Sequence, residues 1–183
     1  MNNNNEKRRT INNINDNTTI WNKYGIDNEG RNHTAAEIYE QHLVPAMFEP
    51  FARDLIRLCD IRRSDRILDV ACGTGIVSRL AIAYVEVSAG KVVGADINSV
   101  MLNVARHRSA GKDIHWKEGS AMTLPFPNES FDLVICQQGL QFFPDRLKAL
   151  TEMNRVLVGA NRNGGDKNCG YGRLVLSVWN YQR

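Results

Sequence analysis

The sequence is short of several features that would each have fixed a class. Its 183 residues hold five prolines and four cysteines, and aromatics make up 8%. Cys59, Cys72, Cys136 and Cys169 stand far apart with no CxxC pair, which argues for reduced thiols rather than a disulfide framework or a zinc site. No apolar run approaches the ~20 residues that cross a bilayer. The opening MNNNNEKRRT lacks the apolar centre of a secretory signal. A large excess of one charge sign is lacking too. The net charge is +3 and the compact basic cluster is Lys7-Arg8-Arg9 alone, so nothing points to a nucleic-acid partner. Hydrophobic residues at 43% and charged residues at 23% are ordinary values, which exclude a wholly disordered or collagen-like chain. The expectation is a soluble, cytoplasmic, single-domain protein with no membrane span.

What is present begins with asparagine, which fills 11 of the first 33 positions. Such a segment cannot bury enough surface to offset its ordering entropy. Residues 1–33 are therefore expected to form a flexible tail, with Trp21 and Tyr24 free to pack back onto a domain spanning 34–183. Thr34 and Glu37 have capping-box spacing, which predicts a helix to about Val44, where Pro45 ends or kinks it. A second helix is predicted from about Pro50, a tolerated first-turn proline, to Cys59, with Leu55, Ile56 and Cys59 on one side.

From Arg66 the rhythm becomes strand, helix, strand. RILDV, KVVGAD, DIHWK, FDLVIC and RLVLSVW are short apolar runs. Between them, apolar residues recur at helical spacing. Ile76, Val77, Leu80 and Ala83-Tyr84 line one helix, and Val100-Met101 with Val104-Ala105 the next. Leu147, Leu150, Asn154 and Leu157 line a third, widened by Met153 and Val156. The last strand is apolar on both faces, as in a parallel strand covered by helices on each side. About 20 residues separate the first two strands, room for a right-handed crossover. The expected fold is an open α/β sheet. The polar, turn-rich stretch at 158–172 is predicted to be a mobile connection.

The chemistry concentrates in ILDVACGTGIVS at 67–78. Glycines between a strand and a helix let backbone approach a ligand, and the helix N-terminus offers free N–H groups. A structural tight turn would use the same residues. A dinucleotide fold wants a third small residue, glycine or alanine, where this chain has Ser78. Asp69 just before the loop suits a cationic ligand better than a diphosphate. Asp96 closes the second strand, where an acid can accept hydrogen bonds from both hydroxyls of a ribose. The competing role for it is capping the helix that begins near Ser99. His33, His42, His107 and His115 show no triad or metal spacing.

DVACGTG, followed by GADINSVML, EGSAMTLPFPNESFDLVIC and ALTEMNRVLVG, resembles the class I S-adenosylmethionine-dependent methyltransferases. Within them the chain looks most like the ubiquinone and menaquinone C-methyltransferase branch. The likeness covers about 35–179, in family order and spacing. It implies a Rossmann-like three-layer sandwich with a mostly parallel sheet of about five strands in the order 3-2-1-4-5. It implies S-adenosyl-L-methionine as cofactor and a small-molecule acceptor. Matched residue by residue, Asp69, Ala71, Cys72, Gly73, Thr74 and Gly75 form the loop against the methionine end, with Asp69 holding the amino group directly or through water. Asp96 takes the ribose, with Ile97 and Met101 beside the adenine. Gly119, Ser120 and Ala121 stand where the family has Gly-Asp-Ala, so Ser120 replaces a charged adenine contact, and the N–H of Ala121 or Met122 serves the ring. Gln137 and Gln138 lie beneath the sulfonium, Gln141 and Phe142 on the acceptor side, and Tyr39 closes over the cofactor. The competing readings are ordinary helix packing for Tyr39, a polar loop for Gln141 and a core aromatic for Phe142. No residue is forced into the role of general base.

The family continues past RLVLSVW with two more strands, so the resemblance also implies a C-terminally truncated domain. Its last strand is expected at the sheet edge, open to a second copy or a partner chain. Two other readings stand beside methyl transfer: a non-catalytic cofactor-binding or interaction module, and an NAD(P)-dependent oxidoreductase, against which Ser78 and Asp69 argue.

Overall fold

A computed structural model describes residues 34–86, 88, 90–159 and 172–178. The expectations for the tail, for Trp21 and Tyr24, for Cys169 and for most of the 158–172 connection lie outside the described residues. Five strands form one parallel sheet: β1 (Arg66–Val70), β2 (Lys91–Asp96), β3 (Ile114–Glu118), β4 (Leu133–Gln137) and β5 (Arg173–Ser177). Their order is β3-β2-β1-β4-β5, as the resemblance implied. β1 and β4 sit in the middle, and Ile67, Leu68, Leu133, Val134 and Ile135 are wholly buried. Side chains alternate to opposite faces. One face packs Ile67, Leu133 and Ile135 against Leu55, Ile56, Val77 and Ala81. The other packs Leu68, Val134 and Cys136 against Ala149, Met153 and Val156. Helices therefore cover both faces, the arrangement parallel sheets require. β5 ends the sheet among the described residues, with Leu176 and Val178 partly exposed.

The helices depart from the predicted pattern in three places. Thr34 caps α1 (Ala35–Ile38) as expected: its hydroxyl accepts the Glu37 N–H at 3.3 Å, and Glu37 accepts the Thr34 N–H at 2.7 Å. Pro45, however, does not end the helix. The chain runs on as a π-helix over Tyr39–Phe48, with Pro45 inside it, and passes directly into α2 (Glu49–Leu58). Proline lacks an N–H, and its ring crowds the carbonyl four residues back. Wider turns, with bonds reaching five residues back as from Glu49 N–H to Val44 O, move that carbonyl aside.

α3 (Ile76–Ala81) continues into a 3₁₀ turn at Ile82–Tyr84, and α4 (Ser99–Arg108) and α5 (Arg146–Val156) follow. On α4 the buried residues are Leu102 and Ala105, while Val100 is exposed. On α5 they are Ala149, Met153 and Val156, and Leu147 is 75% exposed. Each helix turns inward a face offset from the predicted one, sharing Ala105 with the predicted stripe on α4 and Met153 and Val156 with that on α5. Asp145 caps α5 by accepting the Lys148 N–H at 2.9 Å. Asp145→Ala is expected to lower stability by about 1 kcal/mol, seen as a shifted urea midpoint at unchanged slope. No helix among the described residues is long and apolar enough to cross a membrane.

Candidate functional site

The sheet reverses its winding between β1 and β4, and open α/β sheets bind ligands above the carboxyl ends of their strands at such a point. A cavity of about 650 Å³ lies there. Its floor comes from Val70 and Ala71 after β1, Ala95 and Asp96 at the end of β2, Gly119 to Met122 after β3, and Gln137 to Gly139 after β4. Tyr39 and Phe48, both on the π-helix, form part of its wall. Ala71 and Gln138 line it with positive φ, 55° and 57°, a conformation costly for side-chain-bearing residues and concentrated at binding sites.

Thirteen of the residues singled out in the sequence border this cavity: Tyr39, Ala71, Gly73, Asp96, Ile97, Met101, Gly119, Ser120, Ala121, Met122, Gln137, Gln138 and Phe142. Asp96 is 9% exposed. Its Oδ2 accepts the Gly73 N–H and its Oδ1 the Asn98 N–H, both at 2.8 Å. Each oxygen keeps further acceptor capacity. The capping role weighed for Asp96 falls instead to Asn98, whose side chain accepts the N–H groups of Val100 and Met101. Gly73 has φ +54°, and a Cβ there would meet nothing nearer than the Tyr39 hydroxyl at 4.0 Å. The loop backbone is thus bare toward the cavity.

Five singled-out residues do not reach the cavity wall: Asp69, Cys72, Thr74, Gly75 and Gln141. Asp69 is 1% exposed, and its Oδ2 accepts both the Ser78 hydroxyl at 2.7 Å and the Ser78 N–H at 3.0 Å. The serine that only approximates a dinucleotide motif therefore ties the glycine loop's helix to β1. Burial pushes the Asp69 carboxyl up to about 7, against the lowering effect of the Ser78 bonds, and the Asp96 charge adds to the rise. Gly75 answers to packing: with φ +84°, a Cβ there would lie 2.2 Å from the Trp116 ring. Cys72 and Thr74 are buried within the loop, and burial drives the Cys72 thiol well upward. Gln141 is exposed, and its carbonyl accepts from Arg146 at 3.4 Å.

Several placements change an expected contact. The Met122 N–H already goes to the Ser120 hydroxyl at 3.2 Å, which leaves the Ala121 N–H as the ring-facing candidate. Gln137 donates through Nε2 to the Phe48 carbonyl at 3.0 Å. Tyr39 is pushed up to about 12, by burial first and then by the charges of Glu40, Asp96 and Asp69, so its hydroxyl stays protonated. Phe48, Leu124, Gly139, Phe143 and Pro144 also line the cavity and escaped sequence reasoning. Leu124 is held from α5: Arg155 donates to the Leu124 and Phe126 carbonyls at 3.0 and 2.9 Å, and Glu152 accepts the Leu124 N–H at 2.8 Å.

A parallel sheet with a glycine loop after its first strand and an acid closing its second is a Rossmann-like, nucleoside-binding architecture. The family comparison is more specific. The model of the methyltransferase-domain family matches residues 67–159, about half the chain, and the protein belongs to that family. The cofactor that membership implies is S-adenosylmethionine. The demethylmenaquinone methyltransferase of Staphylococcus aureus (strain MRSA252) is 38% identical over 120 residues, covering 65% of this chain and 47% of the relative. The chain thus spans about half the length of the curated relatives it matches. Among solved structures, the YcgJ protein of Bacillus subtilis is 29% identical with a TM-score of 0.54, over 58% of this chain and 45% of that one. An S-adenosylmethionine-dependent methyltransferase of Mesorhizobium loti, 24% identical with a TM-score of 0.51 over 58% and 47% of the two chains, shares the fold.

Proposed function

We propose that this protein transfers a methyl group from S-adenosylmethionine to a small-molecule acceptor, and that the cavity over β1, β2 and β4 holds both. The observation that carries the reading is Asp96: a nearly buried carboxylate whose two oxygens are fixed by backbone N–H groups yet retain capacity for two hydroxyls. The bare backbone at Gly73 and the cavity's volume also suit a nucleoside. S-adenosylmethionine, when bound, supplies a methyl group already activated by its sulfonium. The chain's own work is placement. Asp96 orients the ribose, Ile97 and Met101 flank the base, and Ser120 with the Ala121 N–H reads its edge. Tyr39, Phe48 and Phe143 exclude water from the reacting atoms, and holding donor and acceptor in line supplies most of the acceleration such a transfer needs. Tyr39, kept protonated, serves as a hydrogen-bond donor and not as a base.

An uncharged aromatic acceptor is favoured by the wall of Phe48, Phe142 and Phe143 and by the similarity to a demethylmenaquinone methyltransferase. A cytoplasmic setting fits the free, buried thiols of Cys59, Cys72 and Cys136. Among the described residues β5 has a strand on one side only, and its other side is where a second copy of the chain would pair. Calorimetric titration with S-adenosylhomocysteine, alongside radiolabelled methyl transfer to a panel of quinols and phenols, tests the reading. Saturable binding with turnover is expected. Binding without turnover would instead favour a non-catalytic cofactor module, and no binding would end the proposal.

A further inference from the structure

The π-helix between Tyr39 and Phe48 has a geometric consequence for the cavity. In an α-helix, two residues nine positions apart are separated by about 2.5 turns and point to opposite sides. In a π-helix, with about 4.4 residues per turn, the same nine positions make about two full turns and return to one side. Tyr39 and Phe48 are nine positions apart. Their ring centroids lie 5.1 Å from each other at an interplanar angle of 34°, and both rings border the cavity. The winding thus places two aromatic side chains together that an α-helix would have sent apart.

Both ends of the segment are tied down. Next to Tyr39, Glu40 is 8% exposed and pairs through Oε1 with Arg79 of α3 at 2.8 Å and Arg108 of α4 at 3.6 Å. At the other end, the Phe48 carbonyl accepts from Gln137 at the end of β4. Pro45, between the two anchors, is exposed, so burial does not account for a proline there. What proline does at an exposed helical position is withhold an N–H and crowd the carbonyl four residues back, both of which oppose ordinary α winding.

We propose that Pro45 is a positioning residue: by keeping Tyr39–Phe48 wound as a π-helix between its anchors, it sets Tyr39 and Phe48 side by side as one aromatic wall of the cofactor cavity. This rests on the cofactor reading above. It has an unusual signature, because replacing proline with alanine favours helix formation while releasing the winding. In the full chain, Pro45→Ala is expected to bind S-adenosylhomocysteine about tenfold more weakly through lost preorganisation, with Tm unchanged or raised. The 5.1 Å ring separation should give a nuclear Overhauser contact between Tyr39 and Phe48 in the parent, and that contact should disappear in the variant. Unchanged affinity, a retained ring contact, or weaker binding together with a lower Tm would each overturn the proposal. Phe48→Leu keeps apolar volume without the ring and should weaken binding several-fold. Unaltered affinity in that variant would be equally fatal, even if Pro45→Ala yielded no folded protein. If the parent itself fails to bind, the cofactor reading falls, and the ring contact in parent and Pro45→Ala still decides whether proline sets the winding.

Discussion

Asp96→Ala is expected to weaken the binding of S-adenosylhomocysteine by about 2–3 kcal/mol, roughly 30- to 150-fold, because hydrogen bonds to a charged, nearly buried acceptor are the costly ones to lose. The size of the loss follows from how the carboxylate is held. Gly73 and Asn98 each point a backbone N–H at a different oxygen, so the side chain is oriented before any ligand arrives. Asp96→Asn should fare little better. An amide has one acceptor oxygen, so its NH₂ group must face one of those two N–H donors. Calorimetry on both variants, with urea unfolding to record the stability lost at Gly73 and Asn98, checks the claim. Parent-like affinity in Asp96→Ala would take the residue out of the site.

That Asp96 could be found in the sequence, whereas Phe48 could not, reflects how each position is fixed. An acid at the end of a parallel strand has its place set by the sheet, and the five apolar runs were legible because both faces of a covered sheet demand apolar residues. The capping box at Thr34 and the glycine loop were local signals of the same kind. Phe48 depends on a winding that no apolar period announces; the one cue was Pro45, which ordinary rules read as a terminus or a kink. The inward stripes on α4 and α5 were ambiguous because Val100 and Leu147 are as apolar as the residues that displaced them. Packing against the sheet set which part of each apolar face points inward, a choice made by tertiary contact and invisible in periodicity. The same holds for Asp69 and Ser78. The glycines between them suggested a ligand loop, but only the closure of α3 onto β1 turned Asp69 and Ser78 toward each other.

The Asp69 placement carries a prediction about pH. Its carboxyl is buried, and in the folded chain it titrates at about 7, against an ordinary value of 3.8. The folded state therefore holds a proton that the unfolded state has already released between those values. Stability from this group is fully present below about pH 4, declines as pH rises, and is gone above about 7. Between pH 5 and 8 the loss from Asp69 alone is about 2–3 kcal/mol. Other carboxylates act in the opposite sense: Asp132 and Glu152 are lowered, with hydrogen bonds from Arg66 and Arg155 offsetting the cost of burial, and both lose stability toward acid. Isolating the effect requires a partner variant. Asp69→Asn cannot ionise, yet its carbonyl can still accept from the Ser78 hydroxyl or N–H. Measured by urea unfolding, the stability of Asp69→Asn relative to the parent should rise by about 2–3 kcal/mol from pH 5 to pH 8. A difference that stays flat across that range would mean the buried carboxyl is ionised throughout, and that the Ser78 bonds hold its charge more strongly than burial resists it.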